Sequence, residues 1–197
     1  MGWQRFLGIP APSASPAAGA SAPADAAADT ETVRRIVGQL EAMPRDRARF
    51  LAAFAYILTR AAAADLDINE AESRVIEDLV AEYGGLPESH AVLVTEMARS
   101  QSLLYGGTED YLVTRQFKEL STAEQRLALL RCCYLVGAAD DDISVAESDA
   151  LQEIAAELDV ERAAVNAIRH EFEPKLSTIK AMLRLRRGSG GPSAPGP

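Results

Sequence analysis

The stretch Ala64-Asp65-Leu66-Asp67-Ile68-Asn69-Glu70-Ala71-Glu72-Ser73 returns 75 residues later as Ala139-Asp140-Asp141-Asp142-Ile143-Ser144-Val145-Ala146-Glu147-Ser148, with seven of the ten positions identical. At the same offset Phe54 aligns with Leu129, Leu58 with Cys133, Ala62 with Gly137, Ile76 with Leu151 and Leu79 with Ile154. Agreement on both sides of the acidic stretch means that a whole hairpin is repeated, each copy having an apolar face to bury. The expected fold is all-α, a compact helical bundle with a pseudo-two-fold internal repeat of helical hairpins.

Outward from the two corners, apolar residues recur at helical spacing and nowhere alternate long enough for a half-buried strand. Thr30, Pro44 and Pro87 mark helix starts, and Ser121-x-x-Glu124 reads as a capping box ahead of the Leu127–Gly137 stretch. Gly84-Gly85, Gly106-Gly107 and Pro174 mark stops. These signals predict helices over 31–42, 45–64, 69–83, 87–104, 109–119, 122–138, 144–157, 160–172 and 175–187.

Pro10 to Asp29 and Gly188 to Pro197 are nearly all Ala, Pro, Ser and Gly, and offer little to bury against the entropy of ordering. The expected organisation is a flexible segment over 1–30, a helical domain over 31–175, a basic amphipathic helix over 176–187 and a disordered tail over 188–197. With 197 residues, 48% of them hydrophobic, one core is the natural expectation.

A net charge of -9 argues against nucleic acid as a partner, because phosphate contact depends on a basic surface that releases counterions. Charge is nevertheless segregated: Lys175, Lys180, Arg184, Arg186 and Arg187 stand between Pro174 and Arg187 without one acid. That last helix could dock on the bundle or lie on an anionic inner-membrane surface. Trp3, Phe6, Leu7 and Ile9 form a second short apolar segment with docking character.

Adjacent Cys132 and Cys133 diverge by about 100 degrees on a helix and cannot easily bridge, so both are read as reduced thiols, Cys133 alone on the apolar stripe. His90 and His170 have no triad around them and are read as surface residues. No stretch is long and apolar enough to span a bilayer or to form a signal peptide, and the expected location is cytoplasmic, with membrane association through the terminal segments.

The acidic corners admit two readings. Asn69-x-x-Glu72 and Ser144-x-x-Glu147 are capping-box patterns, and carboxylates near a helix N-terminus favour its dipole. Capping does not require Glu72 to fall in phase with Ile68, Val75, Ile76 and Leu79, nor Glu147 with Ile143, Leu151 and Ile154. Asp65 likewise continues the stripe Phe54, Leu58, Ala62, and Asp140 continues Leu129, Cys133, Gly137. Converging inward carboxylates cost desolvation and repel unless a cation compensates, and oxygen donors without His or Cys suit Ca²⁺, Mg²⁺ or Mn²⁺. Asp67 and Asp142 then become loop or rim ligands. An EF-hand is excluded because Glu70 and Ile76 stand where its Gly and bidentate acid belong.

A hairpin ending in Ala-Asp-x-Asp-Ile, followed by a helix opening with x-x-Ala-Glu-Ser and used twice, resembles the TerB-like family of tellurite-resistance proteins over about residues 31–175. The resemblance implies a compact bundle with pseudo-two-fold symmetry and divalent-cation binding at the corners, in metal or phage stress and near membranes. Asp65, Asp67, Glu72, Asp140, Asp142 and Glu147 are the positions that match, and they are the expected metal ligands. The expected function is a non-enzymatic cation-binding and interaction module with a protein partner. The alternative is a metal-independent adaptor tethered to a membrane complex. A metal-assisted hydrolase is a weaker third reading, since nothing in the sequence would position a substrate.

Overall fold

Proline lacks a backbone N–H and costs nothing where a helix leaves its first donors unpaired, and Pro44 is the N-cap of helix α1, Arg45–Ala62. The computed structural model describes residues 38–65, 68–107 and 109–188, without the side chains of Asp65 and residues 185–188. After α1 come a 3-10 turn, Ala63–Asp65, and helices α2 Glu70–Gly84, α3 Glu88–Tyr105, α4 Asp110–Leu120, α5 Ala123–Gly137, α6 Val145–Glu157 and α7 Arg162–Glu171. A second 3-10 turn, Glu173–Lys175, leads into α8, Ser177–Gly188. Among the described residues there is no strand, only an isolated parallel bridge between Ile143 and Leu176. The fold is all-α as expected. Residues 38–41 are helical, within the first expected helix. The cap expected at Thr30 and the segments 1–30 and 189–197 lie outside the described residues.

Helix α1 is apolar on nearly every side from Leu51 to Ala62 and is accordingly surrounded, packing on α2 to α6. Ala53, Ala55, Ala61 and Ala62 let neighbouring helices approach closely. Phe50, Phe54 and Phe117 join α1 to α4 through ring centroids 4.9 to 6.4 Å apart. Phe54 and Phe117 are fully buried, and each contributes about 1.5–3 kcal/mol. Helix α5 is the second central element, with Leu129, Leu130, Tyr134 and Val136 buried. It packs on α1, while α1 packs on α6 and α2 on α5, so the two hairpins pack across one another.

Three local expectations change. The capping box of α5 is Thr122 with Gln125, not Ser121 with Glu124, because Ser121 already serves as the C-cap of α4 and the next helix starts one residue later. Cys132 is buried alongside Cys133, since α5 is covered on more than one face. His90 is buried too, its Nε2 lying 2.6 Å from the Gln39 side-chain oxygen, whereas His170 is exposed beside Glu173. At the helix stops, Gly85 takes the left-handed conformation that closes α2, with φ 57°, which a residue bearing a Cβ would hold only under strain.

Candidate functional site

Both acidic corners are built on the same cap. At the first, Asn69 is extended and its side-chain oxygen accepts the Glu72 N–H at 3.0 Å, while Glu72 Oε2 accepts the Asn69 N–H at 2.8 Å. At the second, Ser144 Oγ accepts the Glu147 N–H at 3.1 Å and Glu147 Oε2 accepts the Ser144 N–H at 2.8 Å. Each glutamate thus satisfies one of the donors that a helix start leaves over. The stripe phase is also met, Glu72 and Glu147 each being only 4% exposed. Gly137 helps to seat the second: a Cβ there would come within 3.3 Å of Glu147 Oε1.

The aspartates behave differently. Asp140 is exposed, against the expectation that it continues the inward stripe of α5. The physical reason is that α5 ends at Gly137, and the chain turns through residues 138–140 rather than carrying the helical phase onward. Asp140 Oδ1 accepts the Asp142 N–H at 3.0 Å instead. Asp141 lies in the left-handed region with φ 71°, which Asp tolerates better than most residues. Asp142, the expected rim ligand, is exposed and sits 2.8 Å from Lys180 Nζ. Lys175 pairs with Asp141, and Lys180 also donates to the Asp141 carbonyl. The Lys175 hydrogen bond and charge hold the Asp141 carboxyl below the usual carboxylate range.

At the first corner the backbone of Asp65 lies in the 3-10 turn that follows α1, and this turn packs against α6. The Asp65 side chain and all of Asp67 lie outside the described residues, so Glu72 is the one expected ligand described there. Among the described residues, no three His, Cys, Asp or Glu side chains come together as an ion would require. At the second corner ammonium groups pair with Asp141 and Asp142, while one oxygen of Asp140 and one of Glu147 each accept a backbone N–H.

Over residues 50–170, more than half of the chain, the sequence matches the family described as Tellurite resistance protein TerB. The chain belongs to the TerB family. No curated protein and no solved structure gave a match.

The TerB match includes both corners and ends before the 3-10 turn and helix that supply Lys175 and Lys180. Their partnership with the loop was missed from the sequence. The opposed charges were visible, but the contact joins positions 34 to 38 residues apart.

A second ion-pair system inside the TerB region was also missed. Arg60 is 9% exposed and pairs with Glu157 through two hydrogen bonds, of 2.6 and 3.2 Å, with Glu153 at 3.0 Å and with Asp110 at 3.6 Å. Tyr56 donates to Asp110 at 2.8 Å. An Arg directly after the apolar run ending at Thr59 was the available signal. The network ties α1 to α4 and α6 near the first corner. No described helix is long and apolar enough to cross a membrane.

Proposed function

We propose that this TerB-family chain is a non-enzymatic module that binds a divalent cation at its first corner and presents the bound state to a protein partner, in a metal or related stress response. The observation that carries the reading is Glu72, a carboxylate 4% exposed and fixed by the Asn69 cap at the corner where the sequence also supplies Asp65 and Asp67. Those three residues would hold the ion. Their oxygen-only chemistry selects a hard cation such as Ca²⁺, Mg²⁺ or Mn²⁺, which offsets the cost of burying charge.

Glu72→Gln separates this from capping, because the amide oxygen still accepts the Asn69 N–H while the charge is lost. Millimolar Ca²⁺ or Mn²⁺ is expected to raise the Tm of the full chain and to leave Glu72→Gln unmoved. Identical thermal curves with and without cation would leave the cap as the whole role of Glu72.

A metal-independent adaptor reading is favoured by a separate observation. Leu103, Leu104, Tyr111 and Leu112 are exposed around the α3–α4 turn, and Met182 and Leu183 are exposed on α8 near Lys180 and Arg184. Co-sedimentation with anionic vesicles tests the membrane form of this reading. Truncation after residue 173 is unsuitable because it removes the buried Leu176, so Met182→Glu with Leu183→Glu is the comparison. Loss of sedimentation in that variant supports tethering through α8, and absence of sedimentation by the parent chain removes it.

A further inference from the structure

Setting the second half back by 75 residues places Leu66 at the position of Asp141, Ser100 at that of Lys175 and Tyr105 at that of Lys180. At that offset the first half carries none of these three charged residues. In the second half, Leu176 is buried, and the chain on either side of it makes two backbone hydrogen bonds to the loop. The Ile143 N–H donates to the Lys175 carbonyl and the Ser177 N–H to the Ile143 carbonyl, each at 2.9 Å. This pairing sets the register that puts Lys175 against Asp141, and Lys180 against the Asp142 carboxylate and the Asp141 carbonyl. Lys180 lies in the first turn of α8, where the helix dipole disfavours a positive charge, so the acidic loop compensates an otherwise poor position.

We infer that Lys175 and Lys180 are the second corner's own counter-ions, so that the two acidic corners are unequal: a clamp between residues 140–143 and 175–180 closes the second, which takes no divalent cation while α8 is docked. An ammonium within hydrogen-bond distance of Asp142 already occupies the face a metal would approach, and a second positive charge there is repelled. One oxygen of Asp140 is engaged in the turn by the Asp142 N–H, and one of Glu147 in the cap by the Ser144 N–H. Coulombic need and backbone pairing point the same way, and the clamp lies partly beyond the family match. The statement about cations rests on the proposed function, whereas the clamp itself does not.

The test uses the full chain labelled with ¹⁵N, with amide exchange and Mn²⁺ broadening read residue by residue. Lys175→Gln with Lys180→Gln is expected to speed exchange at Ser177 and Ile143 by roughly three- to ten-fold, the scale of two partly exposed ion pairs. Asp141→Asn with Asp142→Asn should do the same from the other side. In the unaltered chain, Mn²⁺ should broaden residues 68–73 and spare 140–148. Unchanged exchange in both double variants overturns the clamp, and equal broadening of the two corners overturns their inequality. Absence of broadening at 68–73, with faster exchange in the variants, overturns the cation reading and leaves the clamp standing.

Discussion

A carboxylate at the third position of a helix is held by its own cap, and this makes Glu72 and Glu147 tolerable at 4% exposure. The side chain of the N-cap therefore carries measurable stability. Ser144→Ala is expected to lower the unfolding free energy by about 1 kcal/mol, and Ser144→Asp to restore most of it, by urea denaturation. Equal stability of all three would deny the cap an energetic role. Burial also governs the thiols: desolvation pushes both Cys132 and Cys133 up. A thiol reagent at pH 8 should modify neither in the native chain and both after unfolding, because the thiolate is the reactive form. Rapid native labelling of either would contradict their packing in α5.

Between elements, buried charge is organised by Arg60. Removing it strands Glu157 and Asp110, both mostly buried, so Arg60→Met should cost about 3–5 kcal/mol. Glu153 is 66% exposed, and Glu153→Gln should cost less than about 1 kcal/mol. A similar loss from both would mean that the network is not centred on Arg60. The contact of α8 with the acidic loop has its own pH signature. Lys175 depresses the folded-state pKa of Asp141, so the contribution is present above the ordinary carboxylate value of about 3.9 and is lost as pH falls through the lower folded value. In an NMR titration Asp141 should stay ionised below pH 3.9 in the parent chain and titrate closer to that value in Lys175→Gln.

For the whole molecule, the all-α fold and most helix limits were legible because apolar spacing and capping residues act locally. The burial of Glu72 and Glu147 followed from the same helical phase. That phase failed at Asp140, since a stripe predicts orientation only while the helix lasts and α5 stops at Gly137. Arg60 with Glu157 and Lys180 with Asp142 could not be read, because both pairs depend on how distant elements pack. The consequence is a TerB domain with two corners alike in sequence, the second of which has Lys175 and Lys180 paired with its loop. Calorimetric titration of the full chain with Ca²⁺ or Mn²⁺ tests this most directly. One ion per chain is expected, lost in Glu72→Gln and kept in Glu147→Gln; no binding heat, or two equivalent sites, would contradict a cation module with a single open corner.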